Sequence, residues 1–133
     1  MNIILCLDDN MGMLFNGKRQ SRDKCITEDI EKTIDKIWIH PFSEDLFLGS
    51  NCNYQVSETF LDQVGKQEYC FVEAHHIASH LQQVNQIIIY RWNRKYPSDF
   101  KCDIPLNQWY LAEQHDLKGF SHERITKEVY TRG

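Results

Sequence analysis

Three short apolar runs constrain this chain more than any other feature. They are NIILCL at residues 2–7, YCFVE at 69–73 and NQIIIYRW at 85–92. A strand with one face in water alternates apolar and polar side chains. These runs are apolar at successive positions and must be covered on both faces. Helical periodicity lies between them: Ile26, Ile30, Ile34 and Ile37 recur at three and four residues, with Glu28, Asp29, Glu31, Lys32 and Asp35 on the other faces. Doubly covered strands joined through helices predict an α/β sheet, mostly parallel.

The punctuation between these runs sets the order of elements. The first strand breaks at Asp8-Asp9-Asn10, and an irregular stretch containing Gly12 and Gly17 runs to about Arg22. Asp23 then stands where an N-cap belongs, with Glu28 and Asp29 toward the positive end of the helix dipole. Residues 36–40 read as a strand stopped by Pro41, and Ser43 is placed to cap a brief helix through Leu48. Residues 49–53 read as loop and 56–64 as one or two helical turns around Phe60 and Leu61. A helix is expected over 75–83. Residues 108–115 and 122–131 alternate, which predicts a long antiparallel pair turning at Lys118-Gly119 and gives the sheet an antiparallel C-terminal edge. With 133 residues, no repeat and no linker, the expectation is one domain over 1–133.

Composition narrows the class. A chain 41% hydrophobic and 26% charged can bury a core, which excludes wholesale disorder. Its formal charge of −4 argues against broad, sequence-blind coating of nucleic acid, though not against a local basic site. No apolar run approaches the ~20 residues of a membrane span, so no membrane partner is expected. The start MNIILCLDDN lacks a basic segment and meets Asp8 and Asp9 too early for a secretory signal. Five scattered cysteines without CxxC spacing read as reduced packing residues of a cytoplasmic protein.

Four groups could carry chemistry. Asn16, Lys18, Arg19, Gln20, Ser21, Arg22 and Asp23 directly follow a buried strand, where an open α/β sheet binds ligands. Arginine forks beside a helix N-terminus suit phosphate or carboxylate, although a solvated loop capped by Asp23 explains them as well. Tyr90, Arg91, Trp92, Asn93, Arg94, Lys95 and Tyr96 interleave cations with aromatics, a surface that pairs phosphates and stacks bases, or else an ordinary edge strand. Arg91 and Asn93 should share one strand face, Trp92 and Arg94 the other. His122 and Glu123 offer a titrating acid–base pair beside Arg124. Glu73, His76 and His80 approach a zinc spacing if 75–83 is helical, but no HExxH pattern occurs, and a solvent-facing helix with incidental histidines is the stronger reading. No metal and no cofactor are expected.

The order of elements resembles the dihydrofolate reductase family. NIILCLDDNMGMLFNGKRQSRDKCITEDI stands where that family has its opening strand, active-site loop and acid-bearing helix. KIWIHPFSEDLFLG is similar to its next strand and helix, NQIIIYRWNRKYPSDFKCDIPLNQWYLAEQ to its late strand and tryptophan-containing edge, and HERITKEVYTRG to its last strand. The resemblance implies a three-layer reductase-like sheet and places Asp23 near the pteridine-binding acid. Family reductases carry adjacent glycines after the strand matching YCFVE. Here the junction is Glu73-Ala74-His75-His76, which would repel phosphate and obstruct a dinucleotide. The strings MGMLFNGKRQSRD, YRWNRKYPSD and SHERITKEVY resemble short bacterial proteins labelled ribonuclease Z. The HxHxDH zinc motif of ribonuclease Z proper is absent.

These readings favour a small enzyme acting on a phosphate-containing substrate, RNA or a nucleotide, as a metal-independent ribonuclease. His122, Glu123, Asp23 and Arg19 would carry its chemistry. Asn16, Gln20, Ser21, Arg22, Arg91, Trp92, Asn93 and Arg94 would bind substrate. The alternatives are a pteridine or nicotinamide oxidoreductase, and a non-catalytic binding protein on the same fold. The first reading requires Arg19, Arg22, Arg91 and Arg94 to converge near His122.

Overall fold

A computed structural model describes residues 1–132. Its centre is a seven-stranded sheet. The strands are β1 (Asn2–Leu7), β4 (Ile37–Ile39), β5 (Tyr54–Val56), β6 (Tyr69–Phe71), β7 (Gln86–Arg91), β9 (Tyr110–Lys118) and β10 (Arg124–Thr131), in the order β5-β4-β6-β1-β7-β10-β9. The first five of that order run parallel, and β10 pairs antiparallel with both β7 and β9. A smaller sheet is formed by β2 (Gly12–Phe15), β3 (Lys18–Arg19) and β8 (Phe100–Lys101).

The apolar runs place a core on each face. Ile3, Leu5 and Leu7 of β1 join Ile87 and Ile89 of β7 in one cluster with Phe60, Leu61, Ile77 and Ile104. Ile4, Ile88 and Tyr90 point the other way, against helix α1 (Lys24–Thr33) and α2 (Glu44–Phe47). This is the expected three-layer α/β architecture, mostly parallel with an antiparallel C-terminal edge. Helix α1 starts where Asp23 Oδ1 accepts from the Cys25 N–H at 3.0 Å, and it buries Ile26 and Ile30. Each such side chain stabilises the fold by roughly 1.5–3 kcal/mol.

Local departures from the sequence reading have physical reasons. The stretch 8–22 is irregular at its two ends, but residues 12–19 form a hairpin. Asn16 and Gly17, with φ of 52° and 70°, form the tight turn joining β2 to β3, a use of Asn-Gly for left-handed backbone. Residues 56–64 divide into the end of β5, a turn, and the short helix α3 (Phe60–Gln63). Ser43 makes no side-chain cap. His40 caps the preceding 3₁₀ turn instead, its Nδ1 accepting from the Phe42 N–H at 3.0 Å. The expected helix over 75–83 is a 3₁₀ stretch, Ala78–Gln83. His76 precedes that stretch and stacks on Phe100, while His80 within it meets Asp62, so the two do not share one helical face. Among the described residues no three His, Cys, Asp or Glu side chains form a metal-binding group.

All five cysteines are free thiols, and burial raises the Cys70 thiol to about 12, as befits a packing residue. Among the described residues no helix is long and apolar enough to cross a membrane.

Candidate functional site

Strand β6 flanks β1 on one side and β7 on the other, so the carboxyl ends of all three open onto one crevice. Segment 19–23 crosses its mouth. Asp8, just past β1 and fully buried, anchors that crossing. Its Oδ1 accepts from the Asn10 and Gly12 N–H groups at 2.9 and 2.7 Å. Its Oδ2 accepts from the Tyr96 N–H at 3.0 Å and from Gln20 Nε2 at 3.3 Å. Gly12 is required here, because a Cβ would stand 2.9 Å from Asp8 Oδ1 and 2.6 Å from Ser98 Cβ.

Asp23 is the second anchor. Beyond its Oδ1 cap on α1, the carboxylate accepts the N–H groups of Phe120, Ser121 and His122 at 2.9 to 3.1 Å. It also faces His122 Nδ1 at 3.0 Å. Burial alone would raise its pKa. The Phe120 and Cys25 N–H groups and His122 outweigh that and hold the carboxyl well below the usual carboxylate range. The β9–β10 loop approaches this closely because residue 119 is glycine. A Cβ there would stand 2.7 Å from Asp23 Oδ2 and collide with the His122 carbonyl oxygen.

His122 is thereby fixed. Its side chain is 4% exposed, its ring stacks on buried Trp92 at 4.9 Å between centroids, and the acceptor-only Asp23 carboxylate assigns a proton to Nδ1. The Nε2 lone pair points outward, 2.8 Å from the Tyr96 hydroxyl and 3.2 Å from the Ser21 hydroxyl. Those two hydroxyls are 3.3 Å apart. The Ser21 and Tyr96 hydroxyls thus stand between Nε2 and the crevice, while His122 also borders a second hollow with Arg94, Glu123 and Arg124.

The arginines do not all gather beside His122. Arg19 forks onto Glu73, Nε to Oε2 at 2.6 Å and Nη2 to Oε1 at 2.9 Å, and also meets Asp45 at 3.2 Å. Burial pushes the Glu73 carboxyl up, and the Arg19 fork offsets only part of that. Arg91 is held by Glu128 at 2.8 Å. Arg22 and Arg94 are exposed at the rim with no carboxylate within 4.0 Å among the described residues, and the Arg94 guanidinium lies 6.0 Å above the Tyr96 ring. Arg22 lines the cavity beside Ser21 and Asp23, whereas Arg94 lines the hollow beside His122. Arg19 lines the crevice already paired, and Arg91 is tied to the last strand.

The other sequence candidates also have definite places. Asn16 occupies the exposed β2–β3 turn, its N–H donating to Asp99 at 3.1 Å. Gln20 donates to Asp8 and to the Pro97 carbonyl, while its Oε1 is buried without a partner. Asn93 has φ of 58° and donates to Thr126 Oγ1 at 2.9 Å, pinning the end of β7 to β10. Glu123 is exposed, and it lines a hollow together with His122, Trp92, Asn93, Arg94 and Arg124. Tyr96 stood in the sequence only as one aromatic of the 90–96 run, with no role toward His122, and Asp8 read only as a strand terminator. An aspartate followed four residues on by glycine was the available signal for Asp8.

Between the Asp23–His122 and Arg19–Glu73 pairs lies a cavity of about 20 Å³, lined by Cys6, Ser21, Thr27 and Trp92 among others. That holds roughly one water.

No family model and no curated protein matches the chain. Nothing found supports the likeness to proteins labelled ribonuclease Z. Solved structures do match, 231 chains in all. One is a dihydrofolate reductase from Enterococcus faecalis complexed with NADP(H) and RAB-propyl. It has a TM-score of 0.67 and 13% identity, over 99% of this chain and 95% of that one. Likeness at this identity speaks for architecture and not activity. This chain has the dihydrofolate reductase fold.

Proposed function

We propose that the protein is a metal-independent hydrolase of phosphate esters, RNA among the candidates, in which His122 moves a proton through Ser21 and Tyr96. The arrangement of His122 carries this reading. Nδ1 is committed to a buried carboxylate and Nε2 to two hydroxyls at the mouth of a crevice, an arrangement suited to proton transfer. Arg22 beside Ser21 and Arg94 beside His122 add exposed positive charge, which favours an anionic substrate. The test is hydrolysis of RNA and of a chromogenic phosphodiester by purified protein. His122→Gln should lower turnover by at least about 100-fold. Equal turnover by that variant, with an unchanged melting temperature, ends the reading.

A second reading is an oxidoreductase, favoured by the full-length likeness to a reductase complexed with NADP(H). The residues present do not fit that cofactor. Where close backbone approach would be needed, Glu73 and Arg19 fill the space with a bidentate pair, and the Asp23 carboxylate already accepts from at least five groups. Reduced nicotinamide dinucleotide phosphate at millimolar concentration should leave protein fluorescence and melting temperature unchanged. Saturable binding would revive the oxidoreductase.

A further inference from the structure

Ser21, Asp23 and His122 stand in the mutual geometry of a nucleophile, an orienting acid and a base, although the sequence shows no strand–turn–helix serine motif. We infer that Ser21 is a nucleophile and that hydrolysis passes through a covalent Ser21 intermediate. The inference rests on the hydrolase reading above and adds to it the atom that attacks.

Four observations carry it. Asp23 Oδ2 lies 3.0 Å from His122 Nδ1, and His122 Nε2 lies 3.2 Å from Ser21 Oγ, so acid, base and hydroxyl form one chain. The imidazole is immobilised by Trp92 on its face and by the Asp23 carboxylate at its edge. Tyr96 Oη lies 2.8 Å from the same Nε2 and 3.3 Å from Ser21 Oγ, so the Ser21 proton reaches Nε2 directly or through the Tyr96 hydroxyl. Ser21 also lines the cavity at the end of β1, whereas Tyr96 borders a separate hollow with Phe15, Lys18 and Pro97.

The step balances without a cofactor. Ser21 Oγ bonds to phosphorus as its proton passes to His122 Nε2. The bond from phosphorus to the leaving alcohol breaks, and that oxygen takes the proton from Nε2. A water then gives a proton to Nε2 as its oxygen bonds to phosphorus. The P–Oγ bond breaks, and Ser21 recovers the proton. Arg22 and Arg94 hold the non-bridging oxygens, and the Tyr96 hydroxyl is the nearest neutral donor to the developing charge.

The test uses a fluorophosphonate, whose P–F bond breaks as the serine oxygen bonds to phosphorus, with fluoride leaving. The intact protein is treated with it, and the adduct is located by peptide mass spectrometry. The expected result is one adduct on Ser21, none on Ser21→Ala, and labelling slowed at least about 100-fold in His122→Gln. Ser21→Ala removes one half-buried hydroxyl and should keep the wild-type melting temperature, so loss of label there reports chemistry and not unfolding. No adduct on folded wild type, an adduct elsewhere, or equal labelling in His122→Gln overturns the inference. Phosphodiester turnover retained by Ser21→Ala overturns the nucleophile and leaves the hydrolase reading standing. Ser21 labelling without any phosphate-ester turnover upholds the nucleophile and removes the phosphate substrate.

Discussion

Asp23 Oδ2 lies 3.0 Å from His122 Nδ1, although the two residues are ninety-nine positions apart. The same oxygen accepts the backbone N–H groups of Ser121 and His122, so one carboxylate both orients the imidazole and folds the loop carrying it. Loop stability and imidazole orientation are therefore tied to one side chain.

That tie gives a pH dependence with a definite sign. Because Asp23 titrates well below its ordinary value when folded, the unfolded chain takes up the proton first as pH falls. Its contribution to stability is complete above about pH 4 and is lost at more acid pH. Urea unfolding should show Asp23→Asn less stable than wild type by about 3 kcal/mol at pH 7. The gap should shrink at pH 3, and a constant gap would contradict the assignment.

Gly119→Ala should have an effect out of proportion to one methyl group. The added carbon would sit 2.7 Å from the Asp23 carboxylate and force the loop away from it. A loss of about 3 kcal/mol is expected, together with loss of turnover. A variant that melts like wild type would show that the loop has another way to close.

The Arg19–Glu73 pair predicts non-additivity. Arg19→Met alone leaves a buried carboxylate unpaired and should destabilise by about 3–5 kcal/mol, while Arg19→Met with Glu73→Gln should recover most of that. In the single variant the Glu73 pKa rises further in the folded state. The stability it contributes is then greatest at acid pH and falls as pH rises through the folded value. Additive losses across the double-mutant cycle would deny the coupling.

Gly17 is a milder case. Its φ of 70° penalises a side chain, but open space surrounds it. Gly17→Ala should cost about 1 kcal/mol, and Gly17→Asn less, since asparagine tolerates left-handed backbone. Chemical denaturation of both variants checks the ranking.

The architecture was legible because burial on both faces leaves its mark on strands such as residues 2–7 and 85–91, and because Ile26, Ile30 and Ile34 mark one helix face. The Asn16-Gly17 turn was equally legible, but the loop-like composition around it concealed the hairpin. The site was less so. Nothing local to Tyr96 or Ser21 announces that their hydroxyls meet at His122, since the β9–β10 return alone brings position 122 beside position 23. Arginine pairing was hidden for the same reason. Glu73 and Glu128 lie far along the chain from Arg19 and Arg91, so those guanidinium groups could not be seen as already held.

His122 arrives on the turn between the two outermost strands, and the strand that docks this turn against β7 spans Arg124–Thr131. During synthesis, a nascent chain that has folded its parallel strands but still holds residues 124–131 in the exit tunnel has no ordered imidazole opposite Asp23. Until that strand docks, the Asp23 carboxylate lacks the imidazole and the loop N–H groups from which it accepts in the folded chain.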